Sequence, residues 1–251
     1  MGEFEGLYAI WLREFKVFQR ERSRVISAIS QPIIWLFLLG GGMGASIDQA
    51  AIGDVGYLAF LFPGIVAMSI MFGTVFYGLY IVWDRKVDVL KEILVAPISR
   101  VTVFFGKVLG GATDAMITAT ILLVLGVGLV GIAPASVLIA LGLCILLAIG
   151  MVSIGLTLGA FFESMEGFQV VVTFMVFPLF FLSGALYPLK NLDPAMAAAV
   201  RLDPVTYAVD GMRGTLIGVQ HFPMWLDVGV LVVFDLLMIV VGTLAFRKMK
   251  L

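Results

Sequence analysis

Six apolar stretches, each long enough to cross a bilayer, govern what this chain can become. A hydrocarbon core about 30 Å thick takes about 20 helical residues. Val25–Ile47, Tyr57–Val82, Val108–Ile132, Val137–Phe161, Phe168–Leu189 and Trp225–Phe246 all meet that length. Charges fall almost wholly between them. A water-soluble fold of 251 residues, 61% hydrophobic and 13% charged, cannot hide this much apolar surface, so part of the solvent is lipid. In lipid every backbone polar group needs an internal partner, and barrel-type alternation is absent, so the spans are helices. The fold class that follows is an all-α membrane protein with six transmembrane helices, read as one domain over 1–251.

Lys and Arg set the sidedness. Arg13, Lys16, Arg20, Arg22 and Arg24 precede the first span; Arg85, Lys86, Lys91, Arg100 and Lys107 follow the second; Arg247, Lys248 and Lys250 end the chain. With six spans these share one side and hold thirteen of the sixteen basic residues. The other side has only Lys190, Arg201 and Arg213. Both termini are therefore expected in the cytoplasm. The turn near Glu163 and Glu166 falls on the same side without a basic residue. Early charges at Glu3, Glu5 and Arg13 leave no signal-peptide core, so the first span is expected to act as an uncleaved insertion signal. The single cysteine, Cys144, permits no disulfide within the chain.

Three segments are more than plain connections. In 3–20, Phe4, Leu7, Tyr8, Trp11, Phe15 and Phe18 recur at steps of three and four, which predicts a helix in the membrane interface. Trp11 and Phe15 are expected at headgroup level, with Arg13 towards anionic lipid; the helix anchors the chain or relays force to the first span. In 84–100, Val87, Leu90, Ile93 and Leu94 share a helical face, Pro97 ends the helix near Ala96, and Ser99 is placed to cap the next one. That apolar face is expected to be covered, by a partner or by the bundle itself. The connection 187–224 is long enough to hold structure: Ala195–Arg201 and Tyr207–Leu216 read as short helices, re-entrant or interfacial.

These features together resemble the membrane subunit of type-2 ATP-binding-cassette exporters, over nearly the whole chain. The stretch 84–100 is similar to the family's coupling loop, with Asp84-Arg85, Leu90-Lys91-Glu92 and Pro97-Ile98-Ser99; Asp88 stands where many members have glycine. The stretch 177–213 is similar to the family's fifth-span and external signature, in Ser183, Gly184, Pro188, Pro204, Tyr207 and Arg213. The resemblance implies a dimer, of this chain with itself or with a paralogous permease, and two copies of a separate ATP-binding subunit. That subunit would hold ATP and Mg and dock through Arg85, Val87, Leu90, Lys91, Glu92, Leu94, Pro97 and Ser99. It implies export of an amphipathic drug, lipid or glycolipid-like substrate across the cell membrane, although sugar-polymer exporters share the architecture, with no cofactor on this chain and no nucleic-acid partner.

The residues agree in one respect. Gly106-Lys107 is followed by Val108 and lacks the glycine spacing of a phosphate-binding loop, so this chain has no ATPase site of its own. Asp114 and Asp235 fall inside spans, where a carboxylate costs at least about 2.5–3.5 kcal/mol unless it faces protein or a cavity. They are expected either to meet substrate, with Phe177 and Phe181 lining the pathway, or to be held by a Thr or Ser nearby. An ion-coupled carrier or channel using these two carboxylates is the alternative, though no internal repeat supports it. The only histidine, His221, makes neither a metal site nor a catalytic pair by itself. Asp227 reads as interfacial, and Gly40/Gly44 and Gly155/Gly159 as helix-packing pairs.

Overall fold

The computed structural model describes residues 2–43 and 55–249. Eleven helices are seen among them: α1 (Glu3–Arg20), α2 (Arg22–Met43), α3 (Tyr57–Phe76), α4 (Leu79–Lys86), α5 (Val89–Val95), α6 (Arg100–Val130), α7 (Pro134–Phe161), α8 (Met165–Leu182), α9 (Pro194–Leu202), α10 (Pro204–Ile217) and α11 (Met224–Lys248). Six segments are long and apolar enough to cross a membrane: α2, α3 with α4, α6, α7, α8 and α11. The predicted end of the first span at 44–47, Gly44 of one predicted packing pair, and Lys250 lie outside the described residues.

The second and fourth spans form the centre. The second is 72% buried over its most apolar window and α7 is 50% buried, against 11% for α2 and 22% for both α8 and α11. The central pair touches backbone to backbone: a side chain at Gly155 would strike the carbonyl of Val75, and one at Gly159 that of Gly78. The glycines thus do the packing expected of them. The same crowding interrupts the second span, whose helix breaks at Tyr77-Gly78 and resumes as α4. A Cβ at Gly78 would overlap the carbonyl of Gly155, so only glycine lets the two helices approach this closely.

Two other boundaries differ from expectation. The fifth span stops at Leu182, not Leu189: Gly184 takes φ +69°, a left-handed turn that glycine adopts freely, and the chain doubles back. The third span begins at Arg100, because Ser99 accepts the Thr102 amide with its hydroxyl and starts one unbroken helix. The two short helices expected in the 187–224 connection form. Asp193 and Asp203 cap them, each followed by proline at the first helical position, where its missing N–H costs nothing.

Candidate functional site

The connection 84–100 is built as a short helix held outside the spans. Arg85 donates to the carbonyls of Ala160 (2.9 Å) and Phe162 (2.8 Å), capping the negative end of α7. Val87 ends α4 and lies outside the short helix into which its spacing had placed it. Asp88 then turns the chain at φ 61°, a conformation costly for any residue with a Cβ and easy for glycine. That conformation accounts for the glycine of the similar family at this position. Leu90 is 1% exposed and belongs to one apolar cluster with Ile81, Phe104 and Phe246. The apolar face of α5 is thus covered at its centre by this chain's own bundle, one of the two covers expected for it, so Leu90 itself is not free to meet a partner. Lys91, Glu92, Val95 and Pro97 point away from the bundle. Leu94 lies on α5, but its side chain is outside the described residues.

Beside α5 lies an ion cluster that the spacing of residues did not disclose. Lys107 is fully buried and donates to Glu14 (2.9 Å) and Asp84 (2.8 Å). Arg13 donates to the same two carboxylates, at 2.8 Å each. Tyr77 adds its hydroxyl to Glu14 at 2.8 Å. Two cations and two anions therefore balance, joining α1, α4 and α6. Removing one member of such a group leaves an uncompensated buried charge, at about 3–5 kcal/mol. Arg13 is thus turned inwards to Glu14 and Asp84, with part of its side chain still exposed. Burial works against its charge, yet hydrogen bonding and attraction to Asp84 outweigh this and hold its pKa above the ordinary value.

The α1 helix has two faces. Gly6, Ile10, Glu14 and Phe18 are buried, and Gly6 and Ile10 press on Ile98 and Gly106. Phe4 (88% exposed) and Tyr8 lie on the open face. Trp11 stacks on Phe15, and its indole N–H donates to Thr113 at 3.0 Å. Glu3 accepts from the Ser99 amide (3.1 Å) and from the Thr102 hydroxyl, and this last bond is the main reason its pKa is lowered. Gly6, Ile10, Glu14 and Phe18, at four-residue steps, were the available signal for the buried face. The aromatic spacing masked it.

At the opposite end the external signature residues form a lock. Arg213, 2% exposed, donates to the carbonyls of Gly184 (3.0 Å) and Ala185 (3.3 Å), and its guanidinium lies 3.8 Å over the Phe60 ring. Burial lowers its pKa to about 10, which leaves it charged at neutral pH. Tyr207 donates to the carbonyl of Arg201 at 2.8 Å, Pro204 opens α10, and Pro188 sits in the turn after Gly184. Asp210 accepts the amides of His221 (2.9 Å) and Phe222 (2.7 Å). Asp227, in the first turn of α11, is fully buried and accepts from Gln220 at 2.9 Å. His221 serves through its backbone amide.

Between α2, α3 and α8 runs an apolar groove of about 760 Å³. Phe177 and Phe181 line it with Trp35, Phe72 and Phe180, and Gln31 and Ser27 supply polar atoms. Phe72 meets Phe177 edge-on at 5.3 Å. Asp114 and Asp235 are not among the lining residues. Asp114 is buried within α6, and Asp235 sits where α11 crosses α7, against Gly150. The four residues expected along one pathway therefore occupy three places.

Comparison with known proteins bears on this arrangement directly. The profile of the family described as ABC-2 type transporter matches residues 5–217. Nodulation protein J of Rhizobium leguminosarum bv. viciae is 25% identical over 248 residues, covering 96% of this chain and 93% of the relative. The same protein from Rhizobium meliloti (strain 1021) is 26% identical, covering 96% and 92%. Inner membrane transport permease YadH of Escherichia coli (strain K12) is 28% identical over 242 residues, covering 91% and 90%. The match takes in the quartet, the short helix α5, the aromatic groove and the Arg213 lock. Gly106-Lys107, inside α6 with its lysine held by two carboxylates, belongs to a permease domain without an ATPase. This chain is a multi-pass membrane protein of the ABC-2 type transporter family, a permease subunit of that class.

Proposed function

We propose that this chain is the permease half of an exporter in the inner or plasma membrane, with both termini in the cytoplasm. A separate ATP-binding subunit docks on α5, two copies serving a pair of permeases. The pair is this chain twice or this chain with a paralogue. The groove between α2, α3 and α8 carries an amphipathic cargo outwards, its apolar part along Phe72, Phe177 and Phe181 and its polar part near Gln31. The inner-membrane placement follows the name of YadH.

One observation carries this reading: a short helix stands on the basic side of the bundle, pinned from behind by Leu90 and Arg85, with Lys91, Glu92 and Val95 facing out. A helix fixed on its inner face and bare on its outer face is suited to take a push from another protein. The test uses the permease and its ATPase subunit reconstituted in vesicles. Val95→Asp with Lys91→Glu is expected to lower permease-dependent ATP hydrolysis about tenfold, the scale of one lost interface anchor of about 1.4 kcal/mol. Insertion and thermal stability should stay unchanged, because both side chains are exposed. Leu90→Asp is not a clean test, since Leu90 belongs to the core. Hydrolysis at the parental rate would remove the docking role from α5.

A further inference from the structure

The quartet Arg13, Glu14, Asp84 and Lys107 touches neither the groove nor the outward side of α5, yet it joins three separate segments. Glu14 and Arg13 come from the surface helix α1, Asp84 from the last turns of the second span, and Lys107 from the third span. The short helix α5 lies between Asp84 and Lys107 in the chain, so the quartet closes the base of the loop that carries it. A second contact closes the far end: Glu3 holds the Ser99 amide and the Thr102 hydroxyl, and Gly6 rests on Ile98. The α1 helix is thus fastened to both ends of the 84–100 connection, by buried ion pairs at Asp84 and Lys107 and by hydrogen bonds at Ser99 and Thr102, with α5 held between them.

We propose that these four residues are positioning residues that make α1, α4, α5 and the start of α6 one rigid body, so that force arriving at α5 displaces the interfacial helix with it. The observation favouring this is that all three fully or nearly buried members, Lys107, Glu14 and Asp84, are paired with one another and with Arg13 and Tyr77. Parting the segments would strip a buried charge of its partners, whereas moving them together leaves every bond intact. The aromatic open face of α1, with Phe4 and Tyr8, is then driven through the headgroup layer during each cycle. This inference rests on the reading of α5 as the docking helix.

Spin labels test it in the reconstituted complex, at Lys16→Cys on α1, Lys86→Cys at the end of α4 and Lys190→Cys outside; Cys144 is buried and stays unlabelled. Between the nucleotide-free and vanadate-trapped states, the distance from position 16 to 86 is expected to stay constant while that from 16 to 190 shifts. In Glu14→Gln with Lys107→Met, which removes one charge of each sign, the 16-to-86 distance is expected to shift as well. A 16-to-86 shift in the parent protein, or constancy in the double variant, overturns the proposal.

A tether guards against a double variant that fails to fold. A Cβ at Gly6 would lie 3.4 Å from that of Ile98, close to the disulfide range of about 3.5–4.5 Å. Gly6→Cys with Ile98→Cys, oxidised, is expected to retain permease-dependent ATP hydrolysis, because the joined parts never separate. Loss of hydrolysis on closing that disulfide, with recovery on reduction, also overturns the rigid body. Were α5 not the docking helix, the Val95 and Lys91 substitutions would be silent, an outcome distinct from either of these.

Discussion

At the scale of single residues, charge burial decides more here than charge count. Asp203 caps α10 through one oxygen, accepting the Val205 amide at 2.9 Å, while its other oxygen is buried with no hydrogen-bond partner among the described residues. Burial raises its pKa from 3.8 to about 7, against the pull of the Val205 bond. The folded state therefore holds this proton more tightly than the unfolded chain. Stability from this group is full below about pH 4 and declines as pH rises towards 7, where the carboxylate must ionise in place. Melting temperature followed from pH 4 to 8 should fall across that window, and Asp203→Asn, which caps equally well, should flatten the curve. A slope unchanged by the substitution would assign the pH dependence to another group. The same contrast explains what sequence reading could and could not find. Ser99 acts within a few residues of itself, so its cap was legible. Lys107, counted among the cytoplasmic charges, is silent about its partners because Glu14 and Asp84 are distant along the chain.

Elements were legible where periodicity alone sets them and illegible where contact sets them. The six spans and two external helices followed from run length, proline and aspartate. The break at Gly78 did not, because it is imposed by Gly155 from another span. For α1 the aromatic stripe marked the helix correctly but pointed to its open face. The short helix α5 shows a local misfit that can be tested. Asp88 holds φ 61° with its side chain exposed and only a surface ion pair to Lys91 at 2.6 Å. Left-handed backbone costs a non-glycine residue about 1–2 kcal/mol, and an exposed pair returns about 0.2–1 kcal/mol. Asp88→Gly should therefore steady the turn by a fraction of a kcal/mol to about 1 kcal/mol. Hydrogen exchange of the amides at 89–95 should slow by up to about fivefold, that gain expressed as a population. Faster exchange would mean that the Lys91 pair, not the backbone, fixes the turn.

For the molecule as a whole, two of the uncovered apolar flanks differ in texture. The flank on α11 is aliphatic, with Val233, Leu236, Leu237, Val240 and Leu244 exposed in regular succession. The flank on α2 and α8 is aromatic and indented, with Trp35, Phe37, Phe174, Phe177 and Phe181 around the groove. A second permease lying across the groove would turn two half-channels into one enclosed path. Helix association in lipid is driven by packing and not by hydrophobicity, so the shaped flank is the better site for the second copy. Single cysteines discriminate the two flanks in native membranes, since Cys144 is buried and silent. Phe174→Cys (78% exposed) should give disulfide-linked dimers under mild oxidation, and Leu236→Cys (60% exposed) should not. The opposite result would seat the partner against α11 and open the aromatic groove to lipid, so the cargo path would have to run within one chain.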